Sequence, residues 1–594
     1  MRTKGQRFSW WATFLVATLI MSAWSLSTEV HAAEPVSAEL EDVPPFSLIV
    51  LARRLIGATG SVTALDLKSL EAAGATTVGD ALHLSPEVLI LRYGRGGAIE
   101  SIGIKGMGAA QAAIFLDGAP VPAKGAATLL DVPLAGIERI EIVKDDPAAL
   151  GNGGAIHLVT KGASRLEASY AGSSSRFPHR DIVATDSGAI GEARYFASVA
   201  HTAEPALPGQ NDRQRYVSFR LQRELPTSSS QLAAGFTWTL TEWGAPLMDE
   251  SPAPLAEGYR DLAAGDVTWM RELSAGIVEA RGYAQRIREL NEPLVDSPPQ
   301  DDVTLGGEIR ATLETGAGEA VVGAAARRES DDVRSTFAAS LFAKLSRPFG
   351  DFAQASVGGQ FNLLPHLGPA FSPSVQISVL PFPQTTARAS IAHAVRPVAL
   401  EELQAHDGKA DPLRPQSAWR YELGLSHQLS WGLIDVDVFR EHASDRIYWL
   451  PDGNGVRRPQ NLDETVTQGV DVTASAPLSS ALTSFVGWRW TSDKDAVTGE
   501  SLPLVPEHEL RWGIRYQGQA TRGNFELRFL GPRSNGTGAT LPATALASGR
   551  IVHAAGRNLD LFAEGHNLFD VQEDGEQHGA SSGRKLMIGA SWAF

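Results

Sequence analysis

The chain ends on Lys585-Leu586-Met587-Ile588-Gly589-Ala590-Ser591-Trp592-Ala593-Phe594. Every second residue is apolar: Leu586, Ile588, Ala590, Trp592 and Phe594. Those between are mostly small or polar. Period-two alternation places successive side chains on opposite faces of a strand. The stretch therefore predicts a final β-strand with one greasy side and a terminal aromatic residue.

The same alternation fills most of the sequence before it. Val217, Phe219 and Leu221 alternate with Ser218, Arg220 and Gln222, and Phe236, Trp238 and Leu240 with Thr237, Thr239 and Thr241. Nearer the end, Trp488, Trp490, Trp512, Tyr516, Phe525 and Phe529 alternate with Arg489, Arg511, Arg515, Glu526 and Arg528. A soluble sandwich also alternates, with its apolar face on a core. Three features favour a membrane barrel: many such segments, aromatics near strand ends, and a second face rich in Arg, Gln and Asp that suits a wet lumen. On that reading the final strand turns its apolar side to lipid and closes the cylinder against the first strand.

The start of the chain fits an exported protein. Arg2, Lys4 and Arg7 precede an apolar run from Phe14 to Trp24, and Val30-His31-Ala32 follows at cleavage spacing. Residues 1–32 read as a secretory signal peptide. The alternative is an uncleaved anchor, for which the run is short of the ~20 apolar residues of a spanning helix. No later stretch has the length of a spanning helix, so any membrane crossing by the mature chain must use a closed barrel.

Composition narrows the rest. The chain has 594 residues, too many for one ordinary soluble domain. It has no cysteine, which removes disulfides and Cys-ligated metals. Its net charge of −16 argues against nucleic acid as a partner. No G-x-S-x-G, Walker A loop or framed dinucleotide fingerprint occurs, so no catalytic residue is assigned and no enzyme is expected. The His residues are dispersed, and neither a metal site nor a cofactor is assigned. The acidic stretches Val295–Val303 and Pro246–Pro254 read as solvated outer loops, with a Ca²⁺ site as the less favoured alternative.

Between the leader and the alternating region lies a small mixed α/β unit. Residues 33–52 form a short acidic lead and an isolated apolar run. Residues 53–162 hold one helical stretch, Thr76–Leu84, with Thr76 or Thr77 as cap. Around it stand strand-like runs: Val88–Arg92, Ser101–Gly106, Ala112–Leu116, Ile137–Lys144 and Gly154–Lys161. Asp117-Gly118 predicts a tight hairpin turn. Residues 163–594 form the barrel. Length alone fits sixteen, eighteen or about twenty-two strands of 9–11 residues each.

Several pieces in order resemble the TonB-dependent outer-membrane receptors: "ATTVGDALHLSPEVLI", "ESIGIKGMGAAQAAIFLDGAPV" and "LAGIERIEIVK" in the small unit, then "SIAHAVRPVALEELQ", "DPLRPQSAWRYELGL", "PQNLDETVTQGVDV", "AEGHNLFD" and the terminal "SGRKLMIGASWAF". The resemblance covers most of the mature chain. It implies a transmembrane antiparallel β-barrel of about 22 strands, in the outer membrane of a Gram-negative bacterium, with a small α/β plug inside the lumen. It implies uptake of a scarce small ligand, a ferric siderophore or a cobalamin, energised by TonB and its inner-membrane complex. Ser47, Leu48, Ile49, Val50 and Leu51 sit where the family's Ton box sits, and a β-branched segment on a flexible lead can add as a strand to a partner sheet. Lys105 stands where the family usually has Arg.

On the plug's outward loops, Arg92, Tyr93, Arg95 and Lys124 are candidate ligand contacts, with solvated loop charges as the plain alternative. Two other functions remain open at this level. One is a plugged receptor that binds or senses without transport, and the other is a passive porin.

Overall fold

The computed structural model describes residues 62–65, 77–83, 88–93, 99–104, 112–121, 134, 137–144 and 154–160 of the first part. It describes 167–593 except 174–179, 191, 205–211, 226–228, 245–256, 292–299, 365–367, 407–411, 452–456, 504, 535–539 and 572–583.

In the small unit the strands are β1 (Val62–Leu65), β2 (Val88–Tyr93), β3 (Ile99–Ile104), β4 (Ala112–Leu116), β5 (Ala119–Val121), β6 (Ile137–Lys144) and β7 (Gly154–Thr160). Five of them form one sheet in the order β1-β6-β7-β4-β5, in which only β4 and β7 run parallel. Helix α1 (Val78–His83) buries Val78, Ala81 and Leu82. Thr77 stands just before it, and its carbonyl accepts the Ala81 N–H at 3.1 Å. β2 and β3 pair as a separate hairpin. The core is aliphatic and β-branched, from Ile114, Ile137, Ile140, Ile142, Ile156 and Leu158, as a half-buried pleated sheet prefers.

Residues 167–593 form one closed barrel of 22 antiparallel strands. The last strand, Lys585–Ala593, pairs with the first, Glu167–Ser173, from Ala593 opposite Glu167 to Met587 opposite Ser173. Closure removes every sheet edge, and with it the unpaired backbone groups an open sheet would present. Closure, and not chain length, fixes the strand number. Among the described residues no helix is long and apolar enough to cross a membrane, so any crossing is by strands.

Burial along these strands is inverted relative to a soluble sheet. Phe236 is 48% exposed while Thr237, next to it, is 5% exposed. Ile588 is 71% exposed and Met587 3%. Phe219, Trp488, Trp512, Tyr516 and Phe529 also lie outside, with Ser218, Arg489, Arg511, Glu526 and Arg528 buried within. The apolar face of the alternation is thus the outside of the cylinder.

Connections differ at the two ends. Two-residue turns such as Ser274–Ala275, Gly316–Ala317 and Pro383–Gln384 close the hairpins at the end where the small unit enters the barrel. The longer connections lie at the opposite end, and one carries helix α2 (Leu400–Ala405).

Candidate functional site

The first element of the site is the tip of the β4–β5 hairpin. Asp117 has φ 49° and Gly118 φ 79°. Two consecutive left-handed residues make a type I′ turn, which Asp-Gly adopts at low cost. The Asp117 N–H donates to the Leu158 carbonyl at 2.8 Å, which ties the turn to β7. The Asp117 carboxylate then meets the barrel wall, with Oδ2 lying 2.7 Å from Arg220 Nη1. Arg220 also faces Asp266 at 3.8 Å. Around this group the aliphatic core of the small unit runs on into wall residues Tyr216, Leu262, Ala264 and Ile287. The space left between Leu116, Asp117, Ser218, Thr237 and Gln285 is about 10 Å³, at the lower limit for one water. The small unit is therefore a plug packed against the inner wall at this contact.

The second element is the wall's polar lining. Arg489 pairs with Asp471 at 2.6 Å, and Glu509 takes both Arg511 at 2.7 Å and Arg528 at 2.8 Å. Arg388 lies between Asp435 at 3.0 Å and Asp437 at 3.2 Å. Arg310 pairs with Glu308 and Arg327 with Glu329, each at 3.0 Å. Charges out of water need partners. Pairing across neighbouring strands and along single strands supplies them.

The third element is the outer mouth. Helix α2 has no side-chain N-cap of its own, but the buried Glu402 carboxylate accepts the Ala399 N–H at 2.8 Å and takes Arg396 in two contacts of 2.8 and 3.2 Å. Gln404 Nε2 donates to Asp302 and to Asp331, both at 2.8 Å. Two arginines reach carbonyls at the helix's C-terminal end, where positive charge is favoured: Arg334 on Leu403 O, and Arg458 on Ala405 O at 3.1 Å. Leu403 packs on Val398, Leu413 and Ile447. So six residues of helix bridge strands that lie far apart around the rim. Burial pushes the Asp331 carboxyl up, but Gln404 and the Val333 and Arg334 N–H groups outweigh it and hold Asp331 below the usual carboxylate range.

Beside the helix, Asn461 donates to the carbonyls of Arg414 at 2.9 Å and Asp445 at 2.7 Å, and accepts the Arg414 N–H at 2.7 Å. Arg414 also pairs with Asp445 at 2.6 Å. Asp445 has φ 55°, a local reversal of the strand that turns the next side chain inward. That side chain is Arg446, fully buried, which grips Asp493 through two contacts of 2.8 and 3.2 Å. The sequence pieces around Arg414 and Asn461 thus meet as a brace of the mouth. Residue pattern alone did not reveal this role.

Of the ligand contacts expected on the plug, Arg92 and Tyr93 end strand β2, opposite Glu100 and Ile99. Arg95, Lys124 and the segment Ser47–Leu51 lie outside the described residues. Among the described residues no group of three or more His, Asp or Glu is arranged to hold a metal ion.

A plugged, closed barrel with a braced outer mouth defines the class of gated barrel receptors. The plug-domain family, "TonB-dependent Receptor Plug Domain", matches residues 54–157, and "TonB dependent receptor-like, beta-barrel" matches residues 165–568. The chain belongs to the TonB-dependent receptor family. It is similar to the vitamin B12 transporter BtuB of Photobacterium profundum, 21% identical over 564 residues, covering 86% of this chain and 88% of that relative. A shorter match, to BtuB of Vibrio vulnificus, is 25% identical over 178 residues and spans 30% of this chain and 28% of that relative. Among solved structures, a mutant of the ferric enterobactin receptor PfeA of Pseudomonas aeruginosa superposes with TM-score 0.76 at 17% identity, over 90% of this chain and 98% of the other. The siderophore receptor PirA of Acinetobacter baumannii gives 0.76 at 16% identity, with the same coverage. At these identities the likeness is one of fold.

Proposed function

We propose that the chain is an outer-membrane receptor that takes up a scarce small ligand, of the ferric siderophore or cobalamin kind, by energised movement of its plug. The observation that carries this is the plug itself, packed on the inner wall at Asp117–Arg220. A passive porin has no use for such an obstruction. The apolar outside supports membrane insertion. Exposed Trp419 stands near one end of the strand Gln416–Leu429, and exposed Trp431 lies in the turn just beyond its other end. From Trp419 to Leu429, at about 3.3 Å per residue and a tilt of about 40°, the strand rises about 25 Å, which matches an apolar band between two aromatic girdles.

On this reading residues 1–32 direct export and are removed. Ser47–Leu51 is the Ton box, gripped by TonB as an added strand. Arg92, Tyr93, Arg95 and Lys124 meet the ligand from the plug's outward side. The barrel's side chains bind, guide and exclude water, and no bond in the ligand is made or broken. The test is uptake of labelled cyanocobalamin and of ferric siderophores by cells carrying the full chain or a chain lacking Phe46–Ala52. Uptake that depends on the segment supports the proposal. Uptake that survives the deletion unchanged removes energised transport through it.

A further inference from the structure

Several parts of the inner wall carry buried polar atoms without a hydrogen-bond partner, the facing pair Thr185 and Ser198 among them, and one of these parts presents side-chain amides beneath the mouth. On the strands Ser335–Phe349, Ala353–Leu364 and Gly368–Phe382, Ser340 lies opposite Asn362, and Gln360 opposite Ser372. All four face inward and are buried, at 4%, 0%, 6% and 7% exposure. Five of their atoms have no hydrogen-bond partner: Ser340 Oγ, Asn362 Oδ1 and Nδ2, Gln360 Nε2 and Ser372 Oγ. Buried polar groups are nearly always satisfied, so adjacent orphans on one patch of wall require a reason. The local sheet is able to satisfy such groups, since further along the first two of these strands Ser356 donates to Ser346 at 2.9 Å.

The patch sits beneath the outer mouth. Asn362 is two residues from Leu364, the outer end of its strand, and Leu364 packs with Ala338 and Val395. Val395 precedes Arg396, which holds Glu402 of helix α2. Phe342, opposite Gln360, leans away over Gly323, under the Arg310 guanidinium 5.4 Å from the ring centroid. The ring therefore lies along the wall on the side away from the amides.

We infer that Ser340, Asn362, Gln360 and Ser372 form a contact site on the barrel wall for the uncharged amide and hydroxyl groups of a ligand in passage. The inference rests on the receptor reading and names the class of ligand. Amides and hydroxyls both donate and accept, so they match a neutral ligand fringed with amides, carbonyls or hydroxyls. They carry no counter-charge of their own for a polyanionic chelate, and Lys344, the inward cation next along the wall opposite Gly358, is buried and engaged by another group. Since all four are buried, a ligand meets them only after the covering groups have moved. They therefore act on the rate of passage and not on first capture at the mouth.

The experiment uses cells carrying the full chain, and variants Asn362→Leu, which keeps the branched outline of the side chain, and Gln360→Leu. The probes are cyanocobalamin and a neutral ferric tris-hydroxamate, with ferric enterobactin as the trianionic control. The expected result is uptake of a neutral probe that falls at least tenfold in the variants, with surface binding unchanged. In the purified, ligand-free protein the Asn362→Leu melting temperature rises, because orphaned groups have been removed. Neutral-probe uptake that is unchanged in both variants overturns the inference and leaves the patch to ordered water. Uptake of ferric enterobactin alone, indifferent to the variants, overturns it while the receptor reading stands. Uptake of none of the probes overturns both. A lower Asn362→Leu melting temperature also counts against it, since the amide would then be satisfied in the resting protein.

Discussion

Replacing Asp117 with Asn removes the charge that the plug's hairpin presents to Arg220. The pair is 2.7 Å apart, with side chains 8% and 16% exposed, so solvent screens it little. Arg220 retains Asp266 at 3.8 Å, and so the variant does not strand a lone buried cation. That second partner brings the expected loss well below the ~3–5 kcal/mol of an orphaned buried ion, to about 1.5–2 kcal/mol. In a seated–unseated plug equilibrium this is about a 10- to 30-fold shift. The assay is conductance of the purified full chain in planar bilayers, where a sealed barrel opens rarely. Asp117→Asn raises the frequency of open events by about that factor, and Arg220→Gln raises it further, because the buried Asp117 and Asp266 carboxylates then lose the cation they share. The double variant is no worse than Arg220→Gln alone, because both changes remove the same contact. An unchanged opening frequency refutes the reasoning, and so do two single effects that simply add.

The tie between helix α2 and Asp331 depends on pH. Asp331 is held below its ordinary value by the donors around it, so its contribution is present above the unfolded carboxylate range and fades as pH falls through the folded value. The protection factors of Leu400–Ala405 against amide exchange, taken relative to the intrinsic rate at each pH, therefore fall in acid, and Asp331→Asn removes that dependence. Gly323→Ala drives a Cβ into the Phe342 ring and to 2.8 Å from the Ile309 carbonyl oxygen. It lowers stability by about 1–3 kcal/mol, read as a lower melting temperature, and Phe342→Leu recovers part of the loss. Arg446→Ala leaves the buried Asp493 without its cation and disorders the outer ends of Gly432–Pro451 and Arg457–Pro477. Limited proteolysis cuts that hairpin in the variant and spares it in the wild type.

Much of the barrel was legible because period two survives any tertiary context. Phe219 beside Ser218, and Phe236 beside Thr237, read directly as two faces. The sign of those faces, greasy side out, needed the leader, the segment count and the girdle aromatics as well. Asp117-Gly118 was legible as a turn because few residue pairs tolerate two left-handed conformations in succession. Its carboxylate's use as a latch was not, since Arg220 lies about a hundred positions away and comes near only once the barrel closes. Helix α2 escaped notice for a similar reason: six residues carry little periodicity, and Arg396, Arg334, Arg458 and Gln404 hold them through the rest of the rim. The reversal at Asp445 has no sequence signal either, because Asp in a strand is neither a Gly nor an evident turn. The partners of the lumen arginines depend on strand register, which alternation leaves undetermined.

The central claim is that the apolar face of the strands touches hydrocarbon and the polar face encloses the plug. The chain has no cysteine, so single spin labels can be placed without background. The most direct measurement is accessibility of labels at Ile588→Cys and Leu341→Cys against Met587→Cys and Ser218→Cys, in the full chain reconstituted into bilayers. The account predicts high accessibility to oxygen dissolved in lipid for the first pair and none for the second. Labels at Met587 and Ser218 that meet lipid oxygen, with Ile588 and Leu341 shielded from it, would contradict the account.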